Sequence, residues 1–340
     1  MKKMINIIVP THNSRKTIIR ALRSVDNILR KETSNLGFCV WIVDDHSCDD
    51  TVFTIKKIWG HNKKIHLLES EGYGVSAARN IALRRIYEES SDNDYVLFLD
   101  SDDMLLPSFF DSLHEILNVG YDYISFYFEI KNNDNLNFQM DNEKLLISKI
   151  NVDKALNIAI TGIDSKKINF NSPWGRIIKV GFLKFNNLFF DERLSYKEDL
   201  LFNITILSLN PNVCLVNKYG YVHFINPDSV INNYIPTALH DELVFQKEVL
   251  KFKLNKELLA HLKYNGWRSL QYVYVFPKGS IVDSYSKRMN RYSNVRNVFI
   301  PYTLIRYKGK KNSKDFFFFL MYMINLFPVL NFCFHFRQGR

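Results

Sequence analysis

The chain has 340 residues, 46% of them hydrophobic, which is enough for two packed domains and too apolar for a disordered polymer. Its net charge of +10 favours an anionic partner, yet neither a basic low-complexity tail nor zinc-finger spacing points to nucleic acid. The cysteines Cys39, Cys48, Cys214 and Cys333 fit neither a CxxC pair nor a disulfide framework, and read as thiols of a reducing compartment.

In chain order, Met4–Val9 is an apolar run stopped by Pro10 and reads as a buried parallel strand. It is too short for the apolar region of a signal peptide. A loop through Ser14 leads into a helix over Lys16–Leu29. Phe38–Val43 is a second strand, ending in Asp44-Asp45, and Thr51–Trp59 a second helix. Ile65–Leu68 is a third strand, followed by a loop with two glycines and a helix from Val75 to Glu88. Tyr95–Leu99 is the fourth strand. Strands alternating with helices predict an α/β fold with a mostly parallel sheet flanked by helices and right-handed crossovers. The first strand–helix turn lacks GxGxxG, so a nucleotide here must be held by other means.

The fourth strand ends abruptly in Asp100, Asp102 and Asp103. Open α/β sheets bind ligands at the carboxyl ends of their strands. Asp100 and Asp102 flank Ser101 and can share one hard cation, Mg²⁺ or Mn²⁺. A solvated acidic turn is the plainer alternative for the same triplet.

Beyond it, Pro107–Asn118 reads as a helix, and Asp122–Lys131 and Leu136–Ile150 as strand-like around a polar loop. Asn151–Thr161 is helical, and Arg176–Phe185 brings Arg176 and Lys179 close together. Leu200–Leu209 is an apolar helix after Glu198-Asp199, and Val213–Phe224 is strand-like, with a turn at Asn226–Ser229. From Pro236 to Asp315 the pattern is helical and basic.

Six blocks in this order resemble a bacterial family two glycosyltransferase of the GT-A fold. They are Ile7–Asn13, Val43–Asp49, Gly74–Asn80, Phe98–Asp103, Trp174–Lys179 and Glu198-Asp199, and together they cover about residues 4–230. His12 stands where the family usually has Tyr or Phe, and His46 and Cys48 vary a segment that often reads Asp-Asp-Gly-Ser-Thr-Asp. The resemblance implies a nucleotide-sugar donor, usually a UDP-sugar, and inverting transfer to a saccharide or lipid-linked acceptor. It implies a donor site built from Pro10, Thr11, Asn13, Asp45, Gly74, Arg79, Asp100, Ser101 and Asp102. Thr11 would meet the base or ribose, and Asp45 would accept the uracil N3–H. Arg79, near a helix start, would pair with phosphate. Asp100 would touch ribose and the metal shell, and Asp102 would bind Mn²⁺ or Mg²⁺ directly. Asp199 would be the general base. Some relatives use a late His as a metal ligand, but for His223 a structural role is the favoured expectation.

Plainer readings compete at several of these positions. Acids in the first turn of a helix, such as Glu198-Asp199, suit the helix dipole without any function. Asp44 reads as a turn cap, Asp103 as a turn or cap residue, and Trp174 as core. Arg176 and Lys179 stay open between a diphosphate or acidic acceptor contact and a solvated face. A metal-dependent nucleotidyltransferase and a non-catalytic membrane-docked scaffold are the rival functions.

The resemblance fades past Ser229. Phe316–Phe336 is aromatic and apolar, close to the length of a membrane span, but Asn325, Pro328, Asn331 and His335 interrupt it and both flanks are basic. The favoured reading is a kinked helical segment lying in the cytoplasmic leaflet, and the alternative is a buried helix pair. The expected organisation is a catalytic domain over 1–230, a basic helical extension over 231–312 and a membrane-associating segment over 313–340. The expected location is cytoplasmic, peripheral to the inner membrane, with the oligomeric state open.

Overall fold

The computed structural model describes residues 2–132, 144–162, 167–225, 234–277, 283–299 and 313–338. The chain divides into two compact units, Met1–Asn226 and Pro227–Arg340.

In the first unit, β1 (Lys3–Thr11), β2 (Leu36–Asp44), β3 (Ile65–Glu69) and β4 (Tyr95–Phe98) pair in parallel in the order β3-β2-β1-β4. Ile7, Val40 and Leu97 are wholly buried, as expected for strands covered on both faces. The crossovers are α1 (Ile18–Leu29), α2 (Thr51–Trp59) and α3 (Val75–Glu89). Register brings the strand ends together, because Thr11 lies opposite Asp44, and Leu99 N–H donates to the Ile8 carbonyl at 2.9 Å. The loops after β1, β2, β3 and β4 therefore share one sheet edge.

The sheet continues with β8 (Arg176–Lys179), antiparallel to β4 and to β6 (Tyr123–Lys131). Next comes β9 (Val213–Phe224), which is parallel to β6 and also pairs with the short strands β5 (Met104–Leu105) and β7 (Ile147–Ile150). Between them in sequence lie α4 (Pro107–Asp111), α5 (Leu113–Asn118), α6 (Val152–Thr161), α7 (Val180–Phe185) and α8 (Glu198–Ser208).

Pro107–Asn118 is thus two short helices rather than one. The Ser112 N–H turns back to the Phe109 carbonyl at 3.2 Å in a tight turn that interrupts the α-helical ladder. Arg176–Phe185 is a strand followed by a helix. Of the stretch read as strand-like over Leu136–Ile150, Ile147–Ile150 is a strand, and residues up to 143 lie outside the described ones. So do the turn at Asn226–Ser229 and most of the basic run between 300 and 312.

The second unit is helical: α9 (Ala238–Val249), α10 (Lys256–Leu270), α11 (Tyr285–Val298), α12 (Ser313–Met323) and α13 (Phe327–Gln338). Glycine is required at Gly266 of α10, where an added Cβ would lie 2.1 Å from Oε1 of the fully buried Glu242 on α9. The aromatic run of residues 316–336 forms α12 and α13, interrupted around Asn325, whose φ is +60°. Among the described residues, no helix is long and apolar enough to cross a membrane.

Candidate active site

The shared sheet edge carries a set of loops that interlock by side chain. Asp44 Oδ2 accepts from Ser47 N–H at 3.0 Å, capping the turn as expected. Asn13 Oδ1 accepts from the backbone N–H of Cys48 at 2.8 Å, tying the first loop to the second. Asp45 Oδ2 accepts from Gly74 N–H at 2.9 Å, tying the second loop to the start of α3. Gly74 has φ +91°, a conformation glycine adopts without strain, and an added Cβ would meet nothing within 4 Å. The space beside this backbone is open. Ser101 Oγ lies 2.8 Å from Ser14 Oγ, joining the first and fourth loops, and Pro10 is buried in β1.

Several polar atoms along this edge are buried and, among the described residues, have no hydrogen-bond partner: Thr11 Oγ1, Asp45 Oδ1, Ser70 Oγ and Ser76 Oγ. Native proteins satisfy nearly all such groups. A clustered set at a strand edge is what a polar ligand would complete. Asp45 Oδ1 and Thr11 Oγ1 offer acceptors at the ends of adjacent strands, which suits the N–H edge of a base and a ribose hydroxyl.

Arg79 is the electrostatic centre of the site. Ser76, Arg79, Asn80 and Leu83 recur at helical spacing on the buried face of α3, which drives the guanidinium inward. Arg79 Nη1 donates to Asp199 Oδ1 at 2.6 Å, and Nη2 to Asp100 Oδ1 at 3.0 Å. The Phe190 ring lies 5.0 Å from the guanidinium carbon. Burial works against the charge, but Asp199 and Asp100 outweigh it and raise the Arg79 pKa. One cation therefore joins the acid at the end of β4 to the acid at the start of α8. The guanidinium expected to meet phosphate thus also bridges two carboxylates at this edge.

Asp199 is raised above the ordinary carboxylate range, by burial first, with Arg79 opposing and Asp100 reinforcing. Its Oδ2 takes no hydrogen bond among the described residues. Glu198 is pushed up to about 8, by burial and then by the Asp199 charge. The sequence singles out Asp199 of this pair and gives Glu198 no role of its own, because that role depends on what its carboxylate faces.

Two buried residues hold this region in place. Asn80 exchanges hydrogen bonds with the backbone of Phe190, at 2.9 Å to the carbonyl and 2.8 Å from the N–H. Arg176, open between two surface readings at the sequence level, is wholly buried and is neither a diphosphate contact nor a solvated side chain. Its Nη1 donates to Asn203 Oδ1 at 2.7 Å and also meets Tyr123 OH, while Nε donates to the Trp174 carbonyl at 3.1 Å. Asn203 in turn donates to the Asp199 carbonyl at 2.9 Å. Arg176 thus props the first turn of α8 from beneath, whereas its companion Lys179 is half-buried.

Asp103 closes the turn as expected, its N–H donating to the Asp100 carbonyl at 3.1 Å, but its carboxylate is fully buried rather than solvated. It accepts from Tyr221 OH at 2.6 Å, from Phe224 N–H at 2.8 Å and from His223 Nδ1 at 3.1 Å. Burial pushes its pKa up to about 6, while His223 pulls the other way. Tyr221 OH also accepts from Asp100 N–H at 3.2 Å, so β9 clamps the acidic turn from below. Trp174 stacks on Tyr221 and on His223, with centroids 4.7 and 5.2 Å apart, and is core as expected. Burial would lower the His223 pKa, but its hydrogen bond to Asp103 and the surrounding acids raise it. The Asp103 contact fixes Nδ1 as the donor.

A divalent cation is consistent with the chemistry of this edge. Asp102 and Asp100 supply hard oxygen donors at a site that also suits phosphates, and Mg²⁺ is commonly held by one or two carboxylates plus phosphate oxygens and water. Among the described residues, no three His, Cys, Asp or Glu side chains close around one point, so phosphate oxygens would complete such a shell.

A mixed sheet with acidic loops at the carboxyl edge of its parallel strands, flanked by helices, defines the GT-A class of α/β proteins. The chain belongs to glycosyl transferase family 2, whose model matches residues 6–184. It is 29% identical over 218 residues to the poly(ribitol-phosphate) β-N-acetylglucosaminyltransferase TarS of Staphylococcus aureus, covering 64% of this chain and 35% of that protein. It is 28% identical to the poly(ribitol-phosphate) β-N-acetylglucosaminyltransferase TarP of the same species, over 66% of this chain and 63% of that one. It is 25% identical to the minor teichoic acid biosynthesis protein GgaA of Bacillus subtilis, over 87% and 61% of the two chains. The chain thus spans less than two thirds of each of these relatives. The crystal structure of S. aureus TarS 1–349 shares the fold, with a TM-score of 0.62 at 20% identity over all of this chain and 92% of that one.

Proposed function

We propose that the chain is an inverting glycosyltransferase that moves a sugar from a UDP-sugar to a saccharide or lipid-linked acceptor during assembly of a bacterial surface polysaccharide. The bridge of Arg79 between Asp199 and Asp100 carries this reading, because it sets a candidate base one cation away from the donor edge. The unpartnered atoms of Thr11 and Asp45 support a nucleoside at that edge. TarS of S. aureus has been crystallised with UDP and with UDP-GlcNAc, which supports a UDP-sugar here. The names of TarS, TarP and GgaA support a surface glycopolymer acceptor, and poly(ribitol phosphate) chemistry would make it anionic.

In this reading Thr11 and Asp45 hold the nucleoside, and Asp100 orients the ribose. Asp102, with Asp100, would hold Mn²⁺ or Mg²⁺, and the ion would supply charge neutralisation on the departing diphosphate. Arg79 opposes the rise that burial imposes on Asp199 and fixes it through Oδ1, which leaves Oδ2 to take the proton of the acceptor hydroxyl. The acceptor oxygen forms the new bond to the anomeric carbon from the side opposite the nucleotide. The anomeric carbon–oxygen bond to the β-phosphate breaks, and UDP leaves with the electron pair. One displacement inverts the anomeric centre, so an α-linked donor gives a β-linked product.

Calorimetry with UDP, with and without Mn²⁺, followed by a UDP-sugar panel in a transfer assay, tests the proposal. UDP binding strengthened by metal is the expected result. Absence of UDP binding under both conditions overturns it.

A further inference from the structure

The two units divide the charge of the chain unequally. Residues 227–340 carry 18 of the 45 Lys and Arg but only 7 of the 35 Asp and Glu, a balance of +11, so residues 1–226 stand at −1. The whole excess positive charge therefore belongs to the helical unit, whose last two helices are also its most aromatic part.

Those helices present two different apolar faces. One is buried: Phe319, Tyr322, Phe327 and Leu330. Tyr322 packs on Trp267 and Tyr292, and its hydroxyl donates to the Phe299 carbonyl at 2.8 Å. Arg296 donates to the carbonyl of Tyr322, and Arg288 Nε to Asn331 Oδ1 at 2.8 Å. The aromatic run thus has a built seat within its own unit. The other face is open: Leu320 is 43% exposed, Ile324 55% and Phe332 61%. Leu326 at the turn, and Tyr285 and Met289 on α11, are exposed as well, and Tyr285 meets the buried face through Phe327, with centroids 5.2 Å apart. Lys287 is exposed beside them.

We propose that this open face of α12 and α13, with Tyr285 and Met289, is a docking surface for an anionic lipid leaflet. The occupant follows from the pairing of features. An excess of +11 on one unit selects an anionic partner, and a soluble polyanion would need the charge but not the apolar row. Exposed leucine, isoleucine and phenylalanine, with an exposed tyrosine and Lys287 on the neighbouring helix, suit shallow burial at the headgroup boundary. Two helices of 11 and 12 residues are too short to span a hydrocarbon core of about 30 Å, so the unit lies on the surface rather than across it. The surface requires nothing of the transfer chemistry, and its test does not depend on turnover.

The experiment is co-sedimentation of the full chain with phosphatidylcholine vesicles, with and without phosphatidylglycerol. The expected result is pelleting only with the anionic lipid, weakened by salt. The double variant Leu320→Glu/Ile324→Glu should lose roughly ten-fold or more in partitioning, since it replaces two apolar insertions with charge. Circular dichroism checks that it is folded. Should it not fold, Lys287→Gln/Met289→Gln provides a second arm with the same expected direction. Three results overturn the proposal: a wild type that stays in the supernatant, pelleting unchanged in folded variants, or retention by soluble polyphosphate in place of vesicles. A dimer in gel filtration that the double variant abolishes, without vesicle binding, assigns the face to a second copy and also overturns it.

Discussion

Replacing Arg79 with Met removes the guanidinium while keeping most of the side-chain volume. The side chain is 3% exposed, against 27% for Asp100 and 28% for Asp199. With an effective dielectric of about 20, contacts at 2.6 and 3.0 Å amount to roughly 12 kcal/mol of gross Coulomb attraction. Desolvation offsets most of that, at several kcal/mol per ion. Breaking buried pairs of this kind costs about 3–5 kcal/mol, because the remaining charges lose their partner. Both carboxylates retain some access to water, which places the expected loss near about 3 kcal/mol at pH 7. The sign with pH follows from the same geometry. Without Arg79, Asp199 loses what held its pKa down, so it takes up a proton more readily as pH falls, and its repulsion with Asp100 disappears. Urea denaturation of Arg79→Met at pH 7 and pH 5 should therefore show a smaller deficit at the lower pH. Adding Asp199→Asn to the variant should recover part of the stability at pH 7. A loss below about 1 kcal/mol at pH 7, or an equal loss at both pH values, would refute the bridge as the organising interaction of the site.

Asp199→Asn alone should retain UDP binding by calorimetry and lose about 10²–10⁴-fold in transfer rate, whereas near-normal turnover would place the base elsewhere. Glu198 is raised from its ordinary value to about 8, so the folded state binds more protons than the unfolded state between those values. Stability conferred by this group is present below the ordinary glutamate pKa and is lost as pH climbs to about 8, with a slope of at most about 1.4 kcal/mol per pH unit. Glu198→Gln should flatten that part of the stability–pH curve, measured by thermal melts across the range. Gly266→Ala should destabilise the helical unit by about 1–3 kcal/mol in urea, because Glu242 is buried and cannot swing aside; a neutral substitution would show that α9 and α10 are free to separate.

The readable part of this chain was its local grammar. Apolar runs of strand length, helical spacing between them and acids at the ends of β2 and β4 were enough to place the parallel half of the sheet. A buried parallel strand must be apolar on both faces and a ligand edge must be polar, so the pattern changes abruptly at each strand end. The antiparallel half was harder to read. β7 and β8 are four residues long, β5 only two, and their pairing with β9, β4 and β6 is settled by contacts distant in sequence.

Residue types and their order thus determined the GT-A fold and which side chains gather at its edge. Tertiary structure decided what each charge faces. Asp103 and Asp100 look alike in the motif, yet Asp103 lies beneath the sheet edge against Tyr221 and His223 while Asp100 turns toward Arg79. Arg176 and Arg79 look alike as well, but Arg176 is enclosed by carbonyls, a phenol and an amide, and Arg79 by two carboxylates. The physical reason is that a charged group's pKa and role are set by desolvation and by neighbours within a few ångströms, and those neighbours come from strands and helices as much as 121 residues apart in the chain.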